Sequence, residues 1–337
     1  MDSAVFESIR QLLITPKRIV ITSHVNPDGD AVGSSLGLYW FLSGLGHQVQ
    51  VIIPNSFPSF LSWLPGCDRI VHHKGKSQES LQFIESAEVI FCLDFNALNR
   101  LDTLEESVRN SNGTRVLIDH HAQPVQEFDH LISIVETSST SEIVFDFMDA
   151  FNVPHLIDKK IAECLFVGIM TDTGSFSFGC NYVNTFNIVA RLISLGIDVE
   201  HIHRLVYDTY TESRMRLLGY SLSEKLKVLG NYHTAYISLT KKELRQFRHQ
   251  IGDTEGIVNY ALSIKGINLA ILLIEREKYI RLSLRSKGKF SVNDLARQYF
   301  NGGGHKNAAG GNSYANMEQT LEKIHGLLPL LKDQLNY

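Results

Sequence analysis

Residues 18–34 read RIVITSHVNPDGDAVGS, and this stretch decides the fold of the first half of the chain. Its apolar run RIVIT predicts a buried β-strand, and the segment that begins at Asp30 has the apolar spacing of a helix. His24, Asp28 and Asp30 lie in or beside the connection between the two. Because ligands bind at this connection in parallel α/β sheets, the stretch predicts both an architecture and a site.

Three more apolar runs, QVQVII, EVIFCL and RVLID, repeat the strand pattern further along the chain. The segments DAVGSSLGLYWFLSGLG and SEIVFDFMDAF have helical spacing and end near Gly or Asn. Strands that alternate with helices are typical of a parallel sheet with helices on its faces. We therefore predict a parallel-sheet domain in the N-terminal half.

The length and the charge of the chain limit what it can be. The chain has 337 residues, 44% of them hydrophobic, which is more than one core normally organises, so we expect two domains. The formal charge of −4, from 32 basic and 36 acidic residues, argues against a broad face that binds long duplex DNA. A small anionic substrate is compatible with this charge.

The sequence indicates neither export nor membrane insertion. The N-terminus MDSAVFESIRQLLITPK lacks a basic segment followed by a long apolar one, and no window reaches about 18 uninterrupted apolar residues. The four cysteines form no C-x-x-C pair and lie in or beside apolar segments, which is typical of reduced, buried thiols. We therefore expect a cytoplasmic protein.

Residue types that bind metals follow three of the predicted strands and end one predicted helix. They are His24, Asp28 and Asp30, then Asp94, then Asp119, His120 and His121, and finally Asp172. Since parallel strands end at the same edge of a sheet, the three strand-end clusters should converge.

Each of these residues also has an explanation that needs no ligand. An aspartate after a strand commonly caps a helix, and Asp30 or Ser34 is placed to cap the helix that follows. A single histidine is usually a packing residue. Together, however, so many acidic groups would repel one another unless a cation lay among them. We therefore favour a metal site.

Carboxylates and imidazoles without a thiolate suit manganese, with magnesium, cobalt, iron and zinc as alternatives. More residues are present than one ion needs: His24, Asp28, Asp30, Asp94, His120 and Asp172. Two ions about 3.5–4 Å apart that share one carboxylate would use the whole set and leave room for substrate oxygens. Such a pair suits attack on phosphorus, so the set predicts a phosphoesterase.

The motifs around these residues resemble those of the DHH phosphoesterases. They are HxNPDGDAxGS at 24–34, the strand-end Asp94, DHH at 119–121 and TDTGSF at 171–176, in this order along the chain. This resemblance covers the predicted first domain and implies a two-manganese hydrolase.

The resemblance also implies a role for each motif residue. One manganese ion would be held by His24, Asp28 and Asp94, and the other by Asp30, Asp94, His120 and Asp172. Asp119 and His121 would form the catalytic pair: Asp119 would orient a ligand through a hydrogen bond, and His121 would contact the substrate phosphate or assist the leaving oxygen. Magnesium and cobalt are the expected substitutes.

Two further features of the first domain carry predictions. Gly29 and Gly33 predict tight backbone turns and a close approach in the loop that presents Asp28 and Asp30. Residues 139–142, STSE, predict a helix N-terminus, which is either a plain cap or a set of free amides facing an anion.

The second half of the chain has a different pattern. HTAYISLT predicts a strand, whereas KKELRQFRHQ and VNDLARQYF predict helices. INLAILLIE and YIRLSLRS predict a hairpin that turns at 276–278. In NGGGHKNAAGG, residues 301–311, the backbone amides of the glycine run are suited to cradle a phosphate, and His305 and Lys306 add donors.

The glycine run resembles the GGGH motif of the DHH-associated domain, which binds the substrate. This resemblance implies that the substrate-binding residues are Gly303, Gly304 and His305, with Ser283, Arg285 and Ser286 on a nearby strand. Arg285 would hold a phosphate bidentately. Taken alone, the SLRS segment would indicate only an exposed, basic strand face.

The predicted fold class is α/β, with three segments along the chain. A parallel-sheet DHH catalytic domain covers 1–185, an amphipathic helical linker covers 186–227, and a smaller α/β DHH-associated, substrate-binding domain covers 228–337. This compact form resembles the nano-RNA hydrolases that also dephosphorylate adenosine 3′,5′-bisphosphate (pAp).

The resemblance implies short RNA oligonucleotides and nucleotides as partners, with no long duplex DNA and no membrane, and the sequence leaves a homodimer open. One alternative is a phosphodiesterase specialised for linear dinucleotides such as pApA. Another is a non-catalytic nucleotide sensor, which the intact ligand set disfavours because a sensor would tolerate loss of Asp94 or Asp172.

Overall fold

The computed structural model describes residues 2–75, 77–250 and 252–336. The chain forms two compact units that divide between Thr209 and Tyr210. The first unit contains a parallel sheet and the second a mixed sheet, each with helices packed on it. The predicted α/β fold class is therefore confirmed. The limits predicted for the two domains and the linker stay a prediction.

Four of the strands in the first sheet are the predicted apolar runs, and two short strands complete it. In chain order they are β1 (Arg18–Ser23), β2 (Gln48–Ile53), β3 (Val71–His72), β4 (Val89–Leu93), β5 (Thr114–Asp119) and β6 (His130–Ser133). Their order across the sheet is β3-β2-β1-β4-β5-β6, and each neighbouring pair is parallel. The edge strands β3 and β6 are too short to show a sequence pattern.

Helices cover both faces of this sheet. They are α1 (Ser3–Leu12), α2 (Gly29–Gly44), α3 (Ser77–Ser86), α4 (Glu105–Asn110), α5 (Thr140–Asp149), α6 (Lys159–Asp172), α7 (Val183–Ser194) and α8 (Val199–Tyr207). Ile19 and Ile21 of β1 belong to the core that α2, α5 and α6 close, whereas Val20 belongs to the core closed by α3 and α4. This alternation explains the continuous apolar run of a strand buried on both faces.

The strand order reverses beside β1, because the chain passes from β1 to β2 on one side and later returns to β4 on the other. Ligands bind in such sheets at the carboxyl ends of the strands beside this reversal. His24 and Asp94 are the first residues after β1 and β4, and His120 is the first after β5. The topology therefore brings the three predicted strand-end clusters to one edge of the sheet.

The sheet of the second unit has six strands in the described part of the chain. They are β7 (Leu226–Leu229), β8 (Thr234–Leu239), β9 (Leu269–Glu275), β10 (Ile280–Ser286), β11 (Gly303–Gly304) and β12 (Ala308–Ser313). The order is β11-β12-β10-β9-β8-β7, and only β8 and β9 pair in parallel among them. The predicted hairpin of β9 and β10 is confirmed, since Ile280 pairs with Glu275 across the turn.

The helices of the second unit are α9 (Glu212–Tyr220), α10 (Lys241–Gln246), α11 (Ile257–Leu262), α12 (Val292–Tyr299) and α13 (Met317–Leu335). Successive residues of β9 point to different cores. Ile271 packs in the core that contains residues of α12 and α13, and Leu272 packs in the core that contains residues of α9, α10 and α11. The sheet is therefore covered on both faces.

No helix within residues 2–75, 77–250 and 252–336 is long and apolar enough to cross a membrane. Cys67, Cys92, Cys164 and Cys180 are buried and carry free thiols, as predicted.

Candidate metal centre

His24 stands at the end of β1 with its ring fixed from one side. Nδ1 donates to the carbonyl oxygen of Val25 at 2.9 Å, so that Nε2 is the nitrogen left for the site. Nε2 lies 3.5 Å from Oδ2 of Asp94 and 4.0 Å from Oδ1 of Asp28. In the neutral ring, the local backbone therefore selects the tautomer whose Nε2 lone pair is available to a cation.

Asp28 is the N-cap of α2. Its Oδ1 accepts hydrogen bonds from the amides of Asp30 and Ala31, both at 3.1 Å. The alternative that Asp30 or Ser34 caps this helix is wrong, because the hydroxyl of Ser34 donates to the carbonyl oxygen of Asp30 inside the helix. Capping and metal binding are compatible in Asp28, since a carboxylate has about four lone-pair positions.

The carboxylate of Asp30 is held by the N-terminus of α5. Oδ2 accepts from the amide of Thr140 at 2.7 Å, and Oδ1 accepts from the amide of Ser141 at 2.9 Å. Ser139 is the N-cap, and its hydroxyl oxygen accepts from the amide of Glu142. Both predictions for residues 139–142 therefore hold. Ser139 caps the helix, and the free amides face an anion, which is the carboxylate of Asp30.

Asp94 connects the two sides of the site. It is 3% exposed and has a left-handed backbone, with φ of 65°. Oδ2 faces His24, while Oδ1 lies 3.4 Å from Nε2 of His120 and accepts a hydrogen bond from the hydroxyl of Thr140 at 2.9 Å. Each carboxylate oxygen thus faces a different histidine.

Asp172 is the last residue of α6, as the sequence predicted. Its Oδ2 lies 3.4 Å from Nε2 of His120, and the same nitrogen lies 3.9 Å from Oδ2 of Asp30. His120 is 4% exposed, so these contacts are shielded from solvent. The imidazole of His120 is therefore in contact with carboxylates from three different parts of the chain: Asp30, Asp94 and Asp172.

The structure brings all six predicted metal-binding residues together in the first unit. One ligand atom each from His24, Asp28 and Asp94 lie within 4.8 Å of one another, and so do atoms from Asp30, His120 and Asp172. Asp94 contacts members of both groups.

Asp119 and His121 form a hydrogen-bonded pair beside these groups. Nδ1 of His121 lies 2.7 Å from Oδ1 of Asp119 and 3.8 Å from Oδ1 of Asp94. Asp119 is fully buried, and its Oδ2 has no hydrogen-bond partner among the described residues. The residue that Asp119 orients is thus His121.

The electrostatics of the site favour a positively charged ligand. Burial, followed by the negative charge of Asp94, raises the pKa of Asp30 well above its usual range, and burial raises the pKa of Asp172 to about 6. Burial opposes a charged ring at His120, but the carboxylates of Asp172 and Asp94 outweigh it and raise its pKa to about 10. Acidic side chains and imidazoles are thus crowded together in a buried site, and their oxygen and nitrogen donors fit divalent cations.

The glycines before the site have a different role from the one predicted. Gly29 and Gly33 lie inside α2 and are absent from the residues with positive φ, so the predicted tight turns are wrong. The predicted close approach is correct: a Cβ on Gly33 would collide with the carbonyl oxygen of Cys164, and one on Gly29 would lie 2.7 Å from Cγ2 of Thr171. These glycines therefore let α2, which carries Asp30, pack tightly on α6.

In the second unit, the predicted substrate-binding residues of β10 divide between the two faces of the sheet. Ser283 and Arg285 alternate with buried leucines and are half-buried on the same face. Ser286 is on the opposite face and is buried, and its hydroxyl donates to the carbonyl oxygen of Phe290 at 2.7 Å. Ser286 therefore faces away from Ser283 and Arg285.

The glycine run packs against its own unit rather than opening its amides. The amides of Gly302, Gly304 and His305 donate to the backbone oxygen of Ala296, to Oδ1 of Asn293 and to the backbone oxygen of Ala308. The predicted phosphate cradle is therefore wrong for these three amides.

Two neighbouring strands leave little room for side chains in this run. Gly303 and Gly304 pair with Gly310 and Ala309 of β12, and a Cβ on Gly304 would lie 2.6 Å from the carbonyl oxygen of Ala308. The close contact of the strands accounts for glycine at this position.

Two family models match the chain. The "DHH family, N-terminal domain" covers residues 18–169, and the "DHHA1 domain" covers residues 231–334. The chain belongs to the DHH family. The resemblance inferred from the sequence motifs is therefore confirmed for both halves of this DHH protein.

Known proteins show how far the similarity extends. The crystal structure of an exopolyphosphatase-related protein from Bacteroides fragilis has 45% identity and a TM-score of 0.94, and the match covers 99% of this DHH protein and 98% of that chain. The "Bifunctional oligoribonuclease and PAP phosphatase NrnA" of Thermus thermophilus is 28% identical, over 91% of this chain and 87% of its own length.

A more distant similarity is to the "Cyclic-di-AMP phosphodiesterase PdeA" of Listeria monocytogenes. It is 23% identical over 90% of this chain but only 46% of its own length. With the family match and the named relatives together, this DHH protein is a hydrolytic phosphoesterase.

Proposed function

We propose that the protein hydrolyses short oligoribonucleotides to mononucleotides and removes the 3′-phosphate of pAp, with two Mn²⁺ ions as cofactors. The observation that carries this proposal is that Asp94 connects the two ligand groups in the first unit, as a member of one and in contact with His120 of the other. The similarity to a protein named as oligoribonuclease and PAP phosphatase supports the choice of substrates.

His24, Asp28 and Asp94 would hold one cation, and Asp30, Asp94, His120 and Asp172 would hold the other. Oxygen and imidazole ligands without a thiolate favour Mn²⁺, with Mg²⁺ or Co²⁺ as substitutes. Two cations supply activation of a water for in-line attack and stabilisation of negative charge on phosphorus.

Asp119 and His121 are the proposed catalytic pair. Asp119 accepts from Nδ1 of His121, so the buried carboxylate fixes the orientation of the ring. A ring held in this way, at the edge of the ligand groups, suits a hydrogen bond to the substrate phosphate or a proton for the leaving oxygen.

The second unit would supply substrate binding through Ser283, Arg285 and His305, with Gly303 and Gly304 setting the backbone beside them. Arginine suits this task because its planar guanidinium binds phosphate bidentately. Ser286 is not part of this proposal, because its hydroxyl stabilises the backbone at Phe290.

A second candidate is a phosphodiesterase for linear dinucleotides such as pApA, which could use the same residues. The similarity to a cyclic-di-AMP phosphodiesterase favours it. Both candidates act in the cytoplasm, in agreement with four buried free thiols, and need neither a membrane nor long duplex DNA as partner.

The test uses metal-stripped protein, with and without Mn²⁺. The substrates are pAp, pApA, 5′-phosphorylated RNAs from dinucleotides to decanucleotides, and long single-stranded DNA. We expect Mn²⁺-dependent release of phosphate from pAp and of mononucleotides from the shortest RNAs. No Mn²⁺-dependent product from any substrate would contradict the proposal, and pApA cleaved well ahead of other dinucleotides would favour the second candidate.

A further inference from the structure

The segment from Ser138 to Glu142 is buried and ties the candidate metal centre to α7. No residue in it is more than 4% exposed. The carboxylate of Glu142 accepts from the amide and the hydroxyl of Ser138 at 3.2 and 2.6 Å, and from the hydroxyl of Thr185 in α7 at 2.6 Å. The side-chain amide of Asn184 donates to the same carboxylate at 3.1 Å. These four hydrogen bonds to one buried carboxylate tie the start of α5 to α7 and restrict the movement of the segment.

Thr140 lies within this segment and contacts two candidate ligands that come from different elements. Its amide donates to Oδ2 of Asp30 at 2.7 Å, and its hydroxyl donates to Oδ1 of Asp94 at 2.9 Å. Asp30 belongs to α2, whereas Asp94 follows β4. A single anchored residue therefore sets how the two carboxylates stand relative to each other.

The orientation of Asp94 matters more than that of the other carboxylates, because its two oxygens face different histidines. The torsion that rotates a carboxylate is broad and holds no fixed angle by itself. A hydroxyl that donates to Oδ1 restricts this rotation and uses one lone pair, which leaves lone pairs on both oxygens for cations. The hydroxyl of Thr140 is in this position.

We propose that Thr140 is a positioning residue for the cation pair: its hydroxyl fixes Asp94 with its two oxygens turned toward different histidines, while its amide fixes Asp30. This inference rests on the proposed function, since it needs cations at the site. Groups that orient metal ligands change metal affinity by about 10- to 100-fold when they are removed. Substitution by Val removes the hydroxyl and substitution by Ser keeps it, while both keep the backbone amide. A loss of metal affinity in the Val variant alone would therefore come from the hydroxyl.

The test compares three variants of the full-length, metal-stripped protein. Thr140→Val removes the hydroxyl at constant shape, and Thr140→Ser keeps it. Thr22→Val is the matched control, because Thr22 is equally buried in the same unit and its hydroxyl has no hydrogen-bond partner in the described part of the chain. Calorimetric titration with Mn²⁺ gives affinity and stoichiometry, and the melting temperature in EDTA reports the fold separately.

We expect Thr140→Val to bind Mn²⁺ about 10- to 100-fold more weakly, while Thr140→Ser and Thr22→Val bind like wild type. Equal affinity and stoichiometry in Thr140→Val and wild type would overturn the positioning role, whatever the melting temperatures. An equal loss in Thr140→Ser would overturn it too, because the hydroxyl would then not matter. If Thr140→Val is unfolded in EDTA, Thr140→Ala against Thr140→Ser makes the same comparison.

The two proposals fail in different ways. Wild-type protein that binds no Mn²⁺ and cleaves no phosphoester contradicts the proposed function. Wild-type protein that binds two Mn²⁺ ions and cleaves its substrates, with Thr140→Val indistinguishable from it in affinity, contradicts only the role of Thr140.

Discussion

Gly168 of α6 lies so close to Asp30 that a Cβ on the glycine would stand 2.8 Å from Oδ1 of the aspartate. The same Cβ would collide with the hydroxyl of Ser141 at the start of α5. Asp30 thus lies between three helices: it belongs to α2, it accepts hydrogen bonds from the amides of α5, and it packs against the backbone of α6 at Gly168. The carboxylate of Asp30 is therefore closely packed on the sides that face α5 and α6.

Gly168→Ala should therefore displace Asp30 or the start of α5. We expect the Mn²⁺ affinity to fall by about 10-fold or more, and the free energy of unfolding to fall by about 1–3 kcal/mol. Calorimetry and urea unfolding measure the two quantities. Gly326→Ala is the control, because a Cβ on Gly326 in α13 would meet no heavy atom within 4 Å, and alanine should stabilise that helix by up to about 1 kcal/mol. Unchanged Mn²⁺ affinity in Gly168→Ala would refute the close packing.

Asp94→Asn should remove turnover while the protein stays folded. The amide keeps the shape and still accepts from Thr140, but it lacks the charge that two cations would share. We expect turnover of pAp to fall by more than about 100-fold and the Mn²⁺ stoichiometry to drop. Asp68→Asn, at an exposed position of the same unit, should leave both unchanged. An active Asp94→Asn variant would exclude a shared ligand at this position.

Mn²⁺ should stabilise the protein more as the pH rises. Burial opposes a charged ring at His24, but the hydrogen bond and charge of Asp94, with the charge of Asp28, raise its pKa to about 9, and the pKa of His120 is raised to about 10. A raised pKa gives stability that is complete below the unfolded pKa of about 6.5 and is lost as the pH rises through the folded value. Cations take the place of these protons.

The measurement is the melting temperature in EDTA and in saturating Mn²⁺ between about pH 6 and pH 9. In EDTA it should fall as the pH rises, and the gap between the two curves should widen. His24→Gln should flatten the EDTA curve, whereas His155→Gln, at an exposed position, should leave it unchanged. A gap that narrows with pH would contradict competition between protons and cations.

Arg285→Ala and Ser286→Ala should differ although the residues are neighbours. Arg285 is half-buried on the face that also carries Ser283, so its loss should raise KM for pAp by about 10- to 100-fold with little change in kcat. Ser286 serves the fold, and its loss should lower the free energy of unfolding by about 1–3 kcal/mol with KM unchanged. Steady-state kinetics and urea unfolding separate the two. Equal effects on KM would place both residues at the substrate.

The sequence already indicated that Arg285 and Ser286 lie on different faces, because side chains alternate between the two faces of a β-strand. Ser283 and Arg285 are two positions apart and share a face, whereas Ser286 is one position further and lies on the other. The assignment of Ser286 to substrate binding stays a prediction, but its buried hydroxyl and its place on the other face do not support it. Residues 139–142, STSE, form the N-cap and the first residues of α5 and gave a similar signal. The sequence indicated a helix N-terminus, but not that its amides face Asp30.

The sequence by itself determined the α/β class, the strands that end in metal-binding residues and the family. These are local properties, because periodicity, strand ends and motif spacing are read within a few residues, and parallel strands must end at one edge. Only the tertiary structure decided that Thr140 contacts both Asp30 and Asp94, and that Gly168 closes on Asp30. These contacts join residues far apart in the chain, and their geometry depends on how α2, α5 and α6 pack, which no local pattern specifies.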